Sequence, residues 1–340
     1  MRPPDPIATD SGDAPIEPIR LRGSRDRRAL LYRYAVVIAL AVLVIGFSLA
    51  APTTFLTLGN LRTIINSQGV LLILALGLTA PLISGDFDLS IGATLGFCGV
   101  LVAAFVGTLG WGGAPAILAT FVAAFVVGTV NGWLVVGLGI NAFIATLATS
   151  TVLAGLTLYV TDGTILTTVP VELQTFAQAR LPGLQIGMPA VVAFVLVVVL
   201  WYVYEHTPVG RHLFFVGEGR EVARLVGLPV ARLRFGAFVA SAGMSGLAGI
   251  LLAGELGGLS PSVGPTLLLP AYAAAFLGAT TIKPGRFNAL GTLVALYLLV
   301  VGVTGLELLG VSSWVEQVFN GVALAIAVAF ARLVSNEQLS

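Results

Sequence analysis

Charge is what this 340-residue sequence has least of. Asp, Glu, Lys and Arg together make up 10% of it, against about 25% in ordinary soluble domains. That scarcity excludes a soluble enzyme, a disordered chain and a nucleic-acid binder, so no nucleic-acid partner is expected. Cysteine is nearly absent: Cys98 stands alone, so no intrachain disulfide can form, and it reads as a small packing residue. The two histidines, His206 and His212, cannot build a Cys/His zinc centre. The single lysine, Lys283, follows Ile282, so the chain has no Gly-x-x-x-x-Gly-Lys loop to hold ATP phosphates. Gly-x-Ser-x-Gly and His-Glu-x-x-His are missing too, and no nucleophile–base pair stands in the apolar segments. Catalysis, a metal and a cofactor in this chain are therefore not expected.

What is present is apolar. Hydrophobic residues make up 57% of the chain and mean hydropathy is +1.00. The fold class this predicts is all-α, a polytopic transmembrane helix bundle surrounded by lipid. A crossing takes about 20 residues, and the apolar runs place ten spans at 31–51, 66–84, 90–109, 114–137, 141–161, 189–204, 235–253, 269–282, 287–304 and 314–333. Several are shorter than a full crossing, which predicts tilted or broken helices. Residues 1–30, with five prolines and an arginine cluster, read as a disordered cytoplasmic tail. Residues 31–333 form the membrane domain and 334–340 a second cytoplasmic tail. The first apolar run is too long for a typical secretory signal core.

Basic residues set the orientation. With both termini cytoplasmic, Arg20 to Arg33, Arg211 to Arg234, Lys283, Arg286 and Arg332 fall on the inner side. Only Arg62 and Arg180 fall outside, as the positive-inside rule requires. Trp111 and Trp314 then mark outer ends, and Trp133, Trp201, Tyr202 and Tyr204 inner ends. A faint repeat, Gly85-Asp86-Phe87 and Gly285-Arg286-Phe287, each followed by a Gly–Thr–Leu step, suggests duplicated halves.

Three sets of polar residues stand out. Asp86, Asp88 and Ser90 sit at a helix start beside the membrane, where charge is disfavoured. They read either as a polar gate or as a turn in which Asp88 or Ser90 caps the next helix. In the inner loop 205–234, Glu218, Arg220, Glu221, Val222, Arg224, Leu225 and Val226 read as a short amphipathic helix stopped by Gly227 and Pro229. Val222, Leu225 and Val226 make an apolar face suited to a groove on a soluble partner. On the fifth span, Asn141, Phe143, Thr146 and Ser150, with Thr149 and Thr151, are candidates for a hydroxyl-lined path. Such side chains also bond commonly to their own helix backbone. Glu316 and Asn320 lie one turn apart at the outer end of the tenth span. The glycine pairs 92/96 and 128/132 and the series 243/246/249 predict close helix packing.

Gly85-Asp86-Phe87-Asp88-Leu89-Ser90-Ile91-Gly92 resembles the G-x-x-D-L-S-x-G motif of the ribose/xylose-type permease family of ABC importers. Asn131-Gly132 with Asn141 to Leu147, and His206 to Arg211 running through Ala223 to Leu228, resemble its following blocks in the same order. Leu277 to Thr281 and Leu308 to Ser312 resemble later, weaker ones. At Leu267-Leu268-Leu269-Pro270 the chain departs from the acidic residues that many members carry there. The resemblance implies a permease for a monosaccharide or similar polyol. It implies work as a dimer, with a second copy or a paralogue, beside a cytoplasmic ABC ATPase pair that uses the ATP and an extracytoplasmic sugar-binding protein. It places the chain in the cytoplasmic (inner) membrane. The rival reading is an ion-coupled secondary transporter, which needs a buried carboxylate or cation site.

Overall fold

The computed structural model describes residues 33–337, and side-chain surroundings for 33–329. The tail expected at 1–30 and residues 338–340 lie outside the described residues. Among the described residues every regular element is a helix, apart from two single-pair bridges in the outer loops. Six helices are long and apolar enough to cross a membrane, and shorter apolar helices at Ala35–Ala50, Ile91–Gly107, Val263–Gly278 and Trp314–Ala329 complete the expected ten.

In chain order these are α1 (Ala35–Ala50), α2 (Leu58–Asn66), α3 (Gly69–Ile83), α4 (Ile91–Gly107), α5 (Gly113–Gly132), α6 (Ala142–Thr161) and α7 (Val171–Gln178). Then follow α8 (Met188–His206), α9 (Pro208–Glu218), α10 (Arg220–Leu225), α11 (Val230–Leu256), α12 (Val263–Thr266), α13 (Leu268–Gly278), α14 (Ala289–Leu308) and α15 (Trp314–Glu337). The boundaries depart from the sequence expectation in four places. The second span starts earlier, because α2 and α3 run nearly continuously over Leu58–Ile83. The eighth is interrupted at Leu267, between α12 and α13. The outer loop 162–188 holds the short helix α7. The last helix continues to Glu337, past the expected boundary at 333.

Burial sorts the helices into a centre and a rim. In the apolar windows of Leu58–Ile83 and Ala289–Leu308, 67% and 61% of residues are buried, against 28% in α5 with its π-helical extension Trp133–Gly137, in α6 and in α8. The former are interior; the latter present Val, Leu and Phe side chains outward, to lipid or a partner chain. The organising element is α11, with 27 residues and a length of about 40 Å. Its small residues admit backbones on several sides. A Cβ at Gly249 would run into the Leu95 carbonyl of α4, and one at Gly246 would lie 2.5 Å from the Ala124 Cβ of α5. Gly77 of α3 packs on Ser241 and Met244. The glycine series predicted for packing does that.

Contacts at the two ends fix the sidedness. Arg33 accepts from the Ile282 N–H (2.9 Å) and the Thr281 hydroxyl (3.0 Å). Lys283 pairs with Glu205, and the Arg286 guanidinium lies 4.0 Å from the Phe214 ring centroid. Residue 33, loop 205–234 and turn 281–286 thus share one end, the basic inner one. At the other end Asn66 bonds Gly187 N–H (2.8 Å) and the Gln185 carbonyl (3.1 Å), and Gln178 donates to the Glu255 carbonyl (3.1 Å).

The repeat has a structural counterpart. Gly85 and Gly285 both take positive φ, 78° and 84°, in inner turns. Phe87 and Phe287 both pack on Phe276. In the helix after each turn an early glycine meets another glycine's backbone: Gly92 lies against Gly264, and Gly291 against Gly278. Both halves run outside to inside, turn, and return.

Candidate functional site

The inner loop is built as two helices rather than one. Thr207 caps α9 by accepting from Gly210 N–H, with Pro208 at the first turn. Gly219 is fully extended (φ −172°) and ends α9 at Glu218, so the single helix expected over 218–226 is corrected to α10, Arg220–Leu225. Glu218 belongs to the preceding helix. The reason is local: glycine with nothing to pack lowers the barrier to breaking the helix there. The stop is as predicted, with Gly227 at φ 82° and Leu228 N–H returning to the Ala223 carbonyl. Ala223 packs down on Val216 and Val230. Val222, Leu225 and Val226 remain 55%, 86% and 62% exposed, and Glu221 and Arg224 pair beside them in solvent.

This loop is fastened to the start of the resemblance motif. A Cβ at Gly217 would collide with the Ile83 carbonyl, so α9 ends directly against the end of α3. Next to it Asp86, 3% exposed, holds two arginines. Arg234 is bidentate, with Nε to Oδ2 at 2.7 Å and Nη2 to Oδ1 at 2.8 Å. Arg220 Nη2 donates to Oδ1 at 2.8 Å and to the Gly85 carbonyl at 2.8 Å. One carboxylate thereby ties α10, the first turns of α11 and the α3–α4 turn together. Paired forks of this kind are among the stronger polar contacts.

Asp88, two residues on, meets no cation. Its Oδ1 accepts from Ser90 N–H (3.0 Å) and the Ser90 hydroxyl (2.6 Å), and its Oδ2 from the Ser241 hydroxyl of α11 (2.9 Å). Its N–H donates to the Tyr272 hydroxyl of α13 (3.1 Å), and Leu89 N–H to the Thr146 hydroxyl of α6 (3.0 Å). Asn131 of α5 donates to the Ser90 hydroxyl at 2.8 Å. Asp88 thus turns back on Ser90 at the helix start, while Ser90 itself makes no side-chain cap. Ser241 is eleven residues into α11, about 16 Å along it, so the extended link 86–90 climbs back alongside the bundle before α4 begins. Five helices converge on it. The Asn131 Oδ1 and Thr94 Oγ1 atoms are buried there without a partner among the described residues.

The other sequence candidates divide. Asp86, Asn141, Phe143 and Arg220 line one inner-face cavity of about 370 Å³. Asn141 caps α6 through Phe143 N–H (2.9 Å), and Phe143 is 51% exposed. Thr146, Thr149 and Thr151 donate to carbonyls of their own helix, and Ser150 is half-buried on the rim. The fifth span therefore offers anchors and caps rather than a row of free hydroxyls. Sequence reasoning missed Arg234 as the main partner of Asp86, and Ser241, Tyr272 and Gly217. Nothing in one-dimensional spacing joins positions 134 to 184 residues apart.

Comparison with known proteins adds a family. The family model described as "Branched-chain amino acid transport system / permease component" matches residues 60–328. The ribose import permease RbsC of Bacillus subtilis (strain 168) is 33% identical over 297 residues, 87% of this chain and 91% of the relative. Its Escherichia coli (strain K12) namesake is 31% identical over 92% of this chain and 96% of its own length. The autoinducer 2 import system permease LsrD of Yersinia pseudotuberculosis (strain YPIII) is 31% identical over 77% of this chain and 80% of its own.

Proposed function

Because the chain belongs to the family of branched-chain amino acid transport system permease components, we propose that it is the membrane-spanning permease of an ATP-driven importer carrying a monosaccharide or similar polyol across the cytoplasmic membrane. Its partners on this reading are a cytoplasmic ABC ATPase pair, an extracytoplasmic solute-binding protein and a second permease, the same chain or a paralogue. The observation that carries it is the pairing of an exposed apolar face, Val222, Leu225 and Val226, with a rigid fastening of the same segment to the bundle through Gly217 and Asp86. A loop helix with no partner has little reason for either. ATP-driven closure of the ATPase pair would move α9–α10 as a lever. Asp86 would pass that movement to the 86–90 link, and Asp88 to α4, α6, α11 and α13. Partners bias such a two-state bundle only by binding one state better than the other.

The relatives named for ribose import support the solute class, and the exposed faces of α5, α6 and α8 offer area for a second permease. The test is Val222→Asp. An unpaired charge pressed into an apolar groove opposes docking by several kcal/mol. The variant should reach the membrane at normal level, lose the ATPase on purification and stop uptake. Normal uptake with the ATPase still bound would leave α10 as an ordinary solvated helix. The ion-coupled reading is tested in vesicles without ATP under an imposed proton gradient, where no uptake is expected.

A further inference from the structure

Between α1 and α15 the rim of the bundle is not closed. A groove of about 330 Å³ runs there, with α13 and α14 as its floor. Small residues stand where its walls face each other: Ala35 and Ala39 on α1, Ala323 and Ala327 on α15. Val322 and Ile326, 53% and 59% exposed, form one lip. Every lining residue is apolar except Thr280, whose hydroxyl is already given to the Leu277 carbonyl (2.7 Å). A sugar or an ion would find no polar partner in it. The groove also lies on other helices than α5, α6 and α8, whose exposed faces offer area for a second permease.

Depth and charge name the occupant. The groove begins at the inner end, at Ala35 and Thr280, and reaches Leu298 and Phe319. From Ala327 to Phe319 α15 rises about 12 Å, within the roughly 15 Å of hydrocarbon that one leaflet supplies. That is the space of one acyl chain of the inner leaflet. At the mouth stands Arg33, whose backbone carbonyl holds Thr281 and Ile282, the residues next to Thr280. Its side chain is exposed. Nε donates to the Ile282 carbonyl (2.9 Å), and the guanidinium lies 5.5 Å from the Tyr34 ring centroid. Among the described residues no carboxylate pairs with it. The two other cations of this end are engaged differently. Lys283 pairs with Glu205, and Arg286 lies over Phe214 in a cavity that Glu218 also lines. A guanidinium at the membrane surface suits a phosphate diester, and the apolar groove beside it suits the chain that such a phosphate carries.

We propose that this groove is a binding site for one anionic glycerophospholipid of the inner leaflet. One acyl chain lies between α1 and α15, and the phosphate meets Arg33. The lipid closes the gap between two helices that both pack on α14.

The test offers the purified full chain, in detergent, equimolar phosphatidylglycerol and phosphatidylcholine with the same acyl chains. Native mass spectrometry counts the lipids retained. The wild-type chain should keep one phosphatidylglycerol, preferred roughly fivefold, the worth of one basic residue at an anionic surface. Arg33→Gln should bring the two lipids to near equality without abolishing retention. Ala39→Trp and Ala323→Phe, which fill the groove from opposite walls, should abolish retention of both lipids while the chain still unfolds cooperatively. Arg232→Gln, at an exposed arginine of the inner loop that does not line the groove, should behave as wild type. The proposal is overturned if the wild-type chain keeps both lipids equally, or if a filling variant that folds still keeps phosphatidylglycerol. It is overturned as well if Arg33→Gln stays as selective as wild type, or if Arg232→Gln loses as much selectivity. A change of oligomeric mass in Ala39→Trp would make the groove an interface between copies instead. Inorganic phosphate raising the wild-type melting temperature as much as phosphatidylglycerol does would leave an anion site without a lipid chain, and would overturn it too.

Discussion

Replacing Asp86 by alanine is the sharpest perturbation the inner face offers. Arg234 is 15% exposed and would lose both of its carboxylate bonds. Breaking a buried pair from one side costs about 3–5 kcal/mol, because a charge is left unpaired. Arg220 is 37% exposed and keeps the Ser84 and Gly85 carbonyls, so its share is nearer the surface value of at most about 1 kcal/mol. Arg234 can also turn toward inner water, which selects the low end, about 3 kcal/mol in all. That shifts the fastened-to-loose equilibrium of α9–α10 on the order of a hundredfold. The packing of α3 against its neighbours does not depend on the Asp86 side chain, with α3 almost wholly buried, and the bundle should stand. The variant should therefore reach the membrane, still bind its ATPase through Val222 and Leu225, and hydrolyse ATP without moving solute. The assay is the ratio of solute transported to ATP hydrolysed in proteoliposomes holding the whole importer. Pairing Asp86→Ala with Arg234→Leu removes the stranded charge and should restore thermal stability, yet not the ratio. A wild-type ratio for Asp86→Ala at normal membrane level would refute the lever.

Gly217→Ala drives a Cβ into the Ile83 carbonyl and should loosen the same joint by about 1–3 kcal/mol, read as reduced uptake with normal expression. Tyr272→Phe removes the acceptor of Asp88 N–H; leaving that buried donor unmet costs about 1–3 kcal/mol, read as a lower melting temperature of the purified chain in detergent. Gln178→Cys, with Cys98 replaced, should label from outside in intact cells; labelling only after the membrane is opened would invert the topology.

Span number, the short helix in the loop 205–234 and the gathering of the basic residues at one end were legible because each rests on composition: long apolar runs, glycine stops, and arginines on one side. The helix break at Gly219 was not, since a glycine inside Glu218-Gly219-Arg220 fits a helix start as well as a gap. The partners of Asp86 were illegible for a different reason. Arg234 stood in the sequence only as one of five loop arginines counted for topology, and Arg220 as one of these and a member of the short loop helix; only folding selects them as partners of Asp86. Asn320 was noticed as a polar residue in an apolar span, but its place between two adjoining cavities is a property of three dimensions. The hydroxyls of α6 show the reverse error: their spacing suggested a path, and i−4 carbonyls claim them.

Asp86 and Asp88 show how little residue type decides on its own. Both are buried carboxylates two positions apart, and an ion-coupled carrier would look first to such a pair. Asp86 is saturated by two guanidinium groups fixed to the cytoplasmic loop, which makes it a fastening. Asp88 has three donors on its two oxygens, all from serine, and it does not line the inner-face cavity that Asp86 lines. An ion would have to displace those donors and reach the carboxylate without that cavity. The serine donors instead join α4 to α11, the same two helices whose glycines 99 and 249 bring their backbones together. The two carboxylates are therefore consecutive joints of one connection, the first gripping the loop 205–234 and the second gripping the centre of the bundle.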